Sequence, residues 1–199
     1  MRISKQRGFI KVEQADKFKP ILKSRLSEQR YFHSLCVADE AKRLALRYGG
    51  DPEQAYLAGL LHDITKNAPA EEHLKIFAEF GIMLNDVEKK AKKLWHAMSG
   101  AEYVRHILRI EDEAVIDAIR YHTTAKAGMS HLAKLLYLAD FTSADRDYDD
   151  VDVIRRLVDE SLEQAFLYAL QYSIKDLVEN GRAVHHDTVE AYNEAVLKN

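Results

Sequence analysis

Residues 51–66 read DPEQAYLAGLLHDITK, an apolar segment that ends in a His-Asp pair. Asp51 followed by Pro52 is typical of a helix start, because Asp caps free N–H groups and Pro suits the first helical turn. The apolar residues 55–61 then predict a buried helix through Leu61, with His62 and Asp63 at its end. We therefore take His62 and Asp63 as candidate site residues.

Similar helix signals continue on both sides of this segment. Ser27 is placed to cap a helix that Gly49 and Gly50 end, and a loop at 67–69 precedes a helix over 70–80. Further helices are predicted at 86–94, 97–109, 111–122 and 130–141. Apolar residues spaced three and four apart predict one long helix over 150–178, and a short helix closes the tail. These helix signals cover most of the chain, and no Pro follows Pro69. We therefore predict an all-α fold class, a single-domain helical bundle.

Composition narrows the class of protein further. The 199 residues are 47% hydrophobic and 31% charged, which excludes a disordered chain, and the net charge of −3 argues against a bulk nucleic-acid binder. The longest uncharged apolar run, residues 55–61, falls far short of the roughly 20 residues of a membrane span. The single Cys36 and the absence of a secretory signal indicate a cytoplasmic protein.

The N-terminus differs in charge from the rest of the chain. Residues 1–25 carry eight basic residues against Glu13 and Asp16. We expect residues 1–23 to form a solvated arm, partly helical or partly disordered, and residues 24–199 to form the domain. A patch that attracts polyphosphate is the alternative for the arm.

Titratable side chains recur on apolar helix faces. His33 shares a face with Val37, Ala41 and Leu44, and Asp140 lies over Leu136 and neighbouring apolar residues. His96 and His122 stand in the same relation to their own helices. Each His alone is more typical of a hydrogen-bonded core residue, but a buried carboxylate without a partner costs several kcal/mol. A divalent cation would remove that cost, so the joint pattern favours a metal site of His and carboxylate ligands.

A His-Asp pair is weak evidence by itself, because the chain contains two of them. The second pair, His186-Asp187, lies in a polar tail with no apolar helix leading into it. We predict that it does not bind the metal.

Six stretches carry a resemblance to a known family: residues 30–33 (RYFH), 58–66 (AGLLHDITK), 94–97 (LWHA), 117–123 (DAIRYHT), 134–140 (KLLYLAD) and 187–193 (DTVEAYN). Together they resemble the HD superfamily of metal-dependent phosphohydrolases, which are all-helical. Within it the chain is similar to the bacterial YqeK-type branch, whose members hydrolyse diadenosine tetraphosphate symmetrically. The similarity runs from about Ser24 to the C-terminus. The chain departs from the family after Arg146 and at His185 and His186, where an aromatic residue and Pro are usual.

The resemblance implies a role for each matching position. The four metal ligands are His33, His62, Asp63 and Asp140, and His96 and His122 match histidines that hold a second metal or a phosphate. Lys66 matches a Lys of the family three residues after the Asp, and Arg146 matches an Arg shortly after the last ligand. Chemically, both suit phosphate-binding cations, and solvated surface charge is the alternative. The hydroxyl of Thr123 suits a further phosphate contact, and a loop that ends the helix is the alternative. The predicted catalytic residues are Asp63, Lys66 and His96. The predicted substrate-binding residues are His33, Asp63, Lys66, His96, His122, Thr123, Asp140 and Arg146.

The implied activity is hydrolysis of a dinucleoside polyphosphate, with diadenosine tetraphosphate cut into two ADP. The donor set has no thiolate, which suits one or two ions of iron, or of manganese. The open alternatives are hydrolysis of another nucleotide (a guanosine polyphosphate, a deoxynucleotide or a cyclic nucleotide) and a non-catalytic nucleotide sensor. The predicted partner is a small nucleotide, without nucleic acid or membrane. A homodimer is a further hypothesis, although no sequence pattern indicates one.

Overall fold

The computed structural model describes residues 15–198, and every regular element within that range is helical. The α-helices are α1 (Lys19–Arg25), α2 (Glu28–Tyr48), α3 (Pro52–Leu61), α4 (Ala70–Glu79), α5 (Asp86–Lys90), α6 (Trp95–Glu102), α7 (Glu113–Tyr121), α8 (His131–Thr142), α9 (Val151–Glu160), α10 (Leu162–Glu179) and α11 (His186–Lys198). Short 3₁₀ segments cover Asp16–Phe18 and Lys92–Leu94, and a π-helical turn covers Tyr103–Ile107. The predicted all-α class is confirmed.

The helix starts follow the capping residues of the sequence. The Ser27 hydroxyl accepts a hydrogen bond from the Arg30 N–H at 3.3 Å, which fixes the start of α2. The Asp51 carboxylate accepts from the N–H groups of Glu53 and Gln54 at the start of α3. Caps of this kind satisfy donors that the first helical turn leaves free.

Helices α2 and α3 approach each other closely near the site, and this approach depends on Gly59. A Cβ at Gly59 would lie 2.6 Å from the Cα of Ala38 and 2.8 Å from the carbonyl oxygen of Val37. Because the two backbones touch there, the end of α3 lies beside the middle of α2. Helix α8 packs in the centre of the core, where Leu135, Leu136 and Leu138 are almost completely buried.

The prediction of one helix over 150–178 is wrong. Ser161 is extended (φ −153°, ψ 122°) and separates α9 from α10, and its hydroxyl accepts from the Gln164 N–H. The apolar spacing continues across the break because Val158 and Leu162 both pack into the same core. A periodicity read along the chain therefore could not reveal the interruption that the Ser161 cap produces.

Two other predicted helices are shorter than expected. The segment 86–94 breaks at Ala91, so that α5 is followed by a 3₁₀ turn. The segment 97–109 begins earlier, at Trp95, and changes after Glu102 into the π-helical turn.

Residues 1–14 of the predicted N-terminal arm lie outside the described residues. The remainder of the arm contributes Ala15, Phe18 and Leu22 to the buried core. Among residues 15–198, none of the helices combines the length and the apolar character that crossing a membrane requires.

Candidate metal centre and phosphate-binding side chains

Six predicted side chains from five parts of the chain meet in the interior. His33 comes from α2, His62 and Asp63 follow α3, and Asp140 comes from α8. His96 is on α6 and His122 directly follows α7. We call these six residues the candidate metal centre. The four histidines and Asp63 are each at most 3% exposed.

The first group of ligand atoms is formed by His33, His62, Asp63 and Asp140. Nε2 of His33 lies 2.9 Å from Oδ1 of Asp140. Nε2 of His62 lies 3.6 Å from Oδ2 of Asp63 and 3.9 Å from Oδ1 of Asp140. These are the four residues that the family resemblance implies as metal ligands.

The second group uses the other oxygen of Asp63. Its Oδ1 lies 3.1 Å from Nε2 of His96 and 3.6 Å from Nε2 of His122, and the two Nε2 atoms are 3.1 Å apart. Asp63 therefore turns one carboxylate oxygen toward each group. A carboxylate in this position could contribute one oxygen to each group if a cation were bound there.

The outer nitrogen of every histidine in the candidate metal centre is engaged. Nδ1 of His62, His96 and His122 each lies 2.7 Å from the backbone carbonyl oxygen three residues earlier. Nδ1 of His33 lies 2.8 Å from Oδ2 of Asp145. An N–H held on Nδ1 leaves the lone pair on Nε2, so all four rings face the centre in the tautomer that binds a metal.

Two polar atoms of the centre test whether a metal fits. Nε2 of His62 and Oδ1 of Asp63 are fully buried and make no hydrogen bond of normal geometry within the described chain. Buried polar atoms without partners are rare and costly, and a coordinated cation would satisfy both. The imidazole and carboxylate donors therefore fit a divalent metal.

Electrostatics favour the same conclusion. Burial lowers the pKa of His62 to about 3 and that of His96 to about 4, so both rings are neutral at pH 7. Burial alone would raise the pKa of Asp63, but the neighbouring His62, His122 and His96 rings hold this pKa well below its usual range. Neutral His62 and His96 rings keep a lone pair that can coordinate a cation beside the Asp63 carboxylate.

Three cations surround the centre. Nζ of Lys66 lies 3.0 Å from Nε2 of His96 and 3.4 Å from Oδ1 of Asp63. Arg146 forms an ion pair with the carboxylate of Asp140. Arg30 lies 3.5 Å from Oδ2 of Asp63 and had no assigned role in the sequence analysis. Each cation is about a quarter to two-fifths exposed, so it can reach solvent as well as the centre.

Thr123 lies next to His122 and borders a cavity. Its hydroxyl is buried and has no hydrogen-bond partner within the described chain. The free hydroxyl is consistent with the predicted phosphate contact, which stays a prediction.

The sequence analysis missed Arg30 and Asp145. Arg30 precedes His33 by three residues on α2, so helical spacing places the two side chains on neighbouring parts of one face and could have revealed it. Asp145 lies in the irregular segment after α8, 112 residues after His33. Helical spacing does not extend over such a distance, so no sequence pattern indicated this contact.

The second His-Asp pair is built differently. His186 is 62% exposed, and Nδ1 of the buried His185 already accepts a hydrogen bond from the Asp187 N–H at 3.2 Å. These three side chains lie close enough to share an ion, so the absence of metal there stays a prediction.

Residues 30–145 match the model of the HD domain family. The chain therefore belongs to this family, and its helical fold and buried His/Asp cluster agree with that assignment. That range contains all six residues of the candidate metal centre.

Curated relatives cover most of the chain. A Bacillus subtilis protein named symmetrical bis(5'-nucleosyl)-tetraphosphatase is 35% identical over 172 residues, which are 86% of this chain and 92% of that protein. A Staphylococcus aureus protein of the same name is 32% identical over 180 residues, covering 89% of this chain and 92% of its own length. A crystal structure from Clostridium acetobutylicum, described as a predicted HD superfamily hydrolase involved in NAD metabolism, superposes with a TM-score of 0.89 at 38% identity. The superposition covers 92% of this chain and 97% of the other.

Proposed function

We propose that this protein is a metal-dependent hydrolase that cuts diadenosine tetraphosphate into two molecules of ADP. The observation that carries the proposal is Asp63, whose two oxygens face two groups of buried imidazoles. The names of the relatives from B. subtilis and S. aureus support the same substrate.

The six residues of the candidate metal centre would hold one or two divalent transition metal ions. Imidazole and carboxylate donors without thiolate suit iron, with manganese as the alternative. When bound, such a metal supplies a water of lowered pKa and polarises a phosphoryl oxygen. Elemental analysis of protein purified without oxygen and without chelators tests the identity of the metal.

The cations of the chain bind the polyphosphate. Lys66 and Arg146 reach the centre from two separate loops, so they can hold phosphates on either side of the attacked phosphorus. Arg30 adds a third positive charge beside Asp63. Such contacts strengthen as negative charge develops on the phosphoryl oxygens in the transition state.

The position of the cut tests the proposal. In a bridge of four phosphates, hydrolysis of the central anhydride leaves two identical ADP halves. We expect ADP as the sole nucleotide product in ¹⁸O-labelled water, with one labelled oxygen per pair of ADP molecules, detected by mass spectrometry. Lys66→Ala and Arg146→Ala should slow the reaction by about 10- to 1000-fold, as loss of a transition-state contact does.

Lys75→Ala is the matched control, since Lys75 is an exposed lysine on α4 and should keep full activity. The appearance of AMP with ATP, or hydrolysis of a mononucleotide in preference to diadenosine tetraphosphate, would refute the proposal. The second result would favour the alternative HD-type reactions on other nucleotides.

Three further expectations from the sequence stay hypotheses. They are a cytoplasmic location, the absence of a nucleic-acid partner and a homodimer. Fractionation, binding to oligonucleotides and sedimentation, respectively, test them.

A further inference from the structure

The loop of residues 143–150 joins α8 to α9 and carries two side chains that contact the candidate metal centre. Arg146 forms an ion pair with Asp140, and Asp145 contacts Nδ1 of His33. The residues on both sides of Arg146 are exposed or only partly buried, so apolar packing around it does not set its position. The position of this loop therefore depends on polar contacts to its backbone.

The guanidinium of Arg155, on α9, makes three such contacts. Its Nη2 donates to the carbonyl oxygen of Ser143 at 2.9 Å and to that of Arg146 at 3.0 Å. Its Nε donates to the carbonyl oxygen of Thr142 at 3.3 Å. The planar fork of an arginine presents several donors at fixed angles, so one side chain links the end of α8 to the loop that follows.

The way α8 ends explains why a donor is needed there. Ser143 leaves the helix with φ −53° and ψ 153°, and helical hydrogen bonds do not satisfy the carbonyl groups of a last turn. Thr142 and Ser143 are 4% and 0% exposed, so water has little access to replace a lost donor. A cation at this position is also favoured by the helix dipole. Arg155 thus caps α8 and holds the loop with the same group.

The reach of Arg146 depends on where its backbone lies. Its Nε donates to the carbonyl oxygen of Asp140 at 2.6 Å, and its Nη2 lies 3.5 Å from Nε2 of His33. A cation that contacts a phosphoryl group must be placed to within about 1 Å, because a larger displacement weakens its effect on the transition state. A displaced loop would therefore impair Arg146 without removing its charge.

A surface ion pair is the alternative role for Arg155. The carboxylate of Asp152 lies 3.5 Å from its Nη1, three residues earlier on α9, and the Asp152 side chain is 83% exposed. Exposed pairs of this kind contribute little to stability. The three carbonyl contacts are thus the stronger reason for an arginine at this position.

We propose that Arg155 is a positioning residue for hydrolysis, which holds the 143–150 loop so that Arg146 reaches the centre. The role of Arg146 rests on the proposed function, whereas the contact between Arg155 and the loop does not. Arg155 acts through Arg146 and not on the substrate itself.

Hydrogen–deuterium exchange of the metal-free protein tests the contact with the loop. The Arg146 N–H donates to the carbonyl oxygen of Ser143 at 3.0 Å, next to the Arg155 contact. In Arg155→Ala this amide should exchange at least about fivefold faster than in the wild type, while exchange within α3 stays unchanged. Arg156→Ala is the matched control, because Arg156 is the next residue, is exposed and carries the same charge. The control should exchange like the wild type.

A double-mutant cycle on the metal-loaded enzyme tests the action through Arg146. Arg155→Ala should lower kcat for diadenosine tetraphosphate by about 5- to 100-fold, and Arg156→Ala should not change it. In the Arg146→Ala background, Arg155→Ala should lower kcat by less than about twofold, because residues that act through one contact are not additive. Arg155→Lys keeps the charge and the Asp152 neighbour but does not span three carbonyls, so it should also lower kcat, by at least about fivefold.

Two kinetic results would overturn the inference: full activity of Arg155→Lys, or the same loss from Arg155→Ala with and without Arg146. The Arg155→Lys protein carries the test if Arg155→Ala does not fold, which circular dichroism shows. If the wild type does not hydrolyse diadenosine tetraphosphate, the proposed function fails and the exchange measurement decides alone. Unchanged exchange of the 143–150 loop in the Arg155 variants would then show that Arg155 does not hold it.

Discussion

Replacing Asp145 by Asn should weaken metal binding without unfolding the protein. Oδ2 of Asp145 lies 2.8 Å from Nδ1 of His33, and its Oδ1 accepts a hydrogen bond from the Ser143 hydroxyl at 2.8 Å. Asp145 thus orients the His33 ring and increases the basicity of Nε2, which faces the centre. Carboxylates in this position behind a ligand histidine contribute to metal affinity.

The size of the effect follows from what Asn retains. Asn has nearly the same shape and can still accept a hydrogen bond from His33, so the substitution removes mainly the negative charge. Changes of this kind cost about 10- to 100-fold in metal affinity, which corresponds to about 1.4–2.7 kcal/mol. His62, His96 and His122 are oriented by backbone carbonyls, which a substitution cannot remove. Among the four histidines of the candidate metal centre, only His33 has a side-chain partner on Nδ1, Asp145, that can be replaced.

The assay is calorimetric titration of chelator-stripped protein with Mn²⁺. Asp147→Asn is the matched control, since Asp147 is an exposed residue of the same segment and the substitution makes the same change in net charge. The control should bind Mn²⁺ like the wild type, and all three proteins should have the same circular dichroism. An Asp145→Asn protein with the affinity of the wild type would refute the role given to the His33–Asp145 contact.

Three further predictions concern the same centre. Asp63→Ala should abolish hydrolysis of diadenosine tetraphosphate while the helical circular dichroism persists, because Asp63 contributes an oxygen to both ligand groups; activity near that of the wild type would remove Asp63 from the mechanism. His186→Ala should leave metal content unchanged, since the His186 side chain is 62% exposed, and a clear loss of metal would show that the second His-Asp pair binds it. The unfolding free energy of the metal-free protein should fall as the pH drops from 6.5 toward 4. His96, with its folded pKa lowered to about 4, stays neutral in the folded protein, whereas the unfolded chain takes up a proton near pH 6.5. Urea titrations at several pH values measure this change, and a flat profile would contradict the neutral state assigned to the ring.

Much of the local structure could be predicted from the sequence. Ser27 and Asp51 predicted two helix starts correctly, because a capping side chain bonds to N–H groups only two or three residues away. His33 was predicted to face inward from the apolar residues on its own helix face, and it is 3% exposed. Ser161 shows the limit of this approach, since the apolar spacing continued through a residue that ends one helix and begins the next.

The all-α class, the HD resemblance and the six residues of the candidate metal centre follow from the sequence alone. Their pairing could be read only from the folded chain: Asp63 faces His62 with one oxygen and His96 with the other, and Asp145 supports His33. The difference is one of distance along the chain. Caps and helix faces depend on neighbours within a few turns, whereas ligand distances depend on how closely helices pack, as Gly59 permits for α2 and α3.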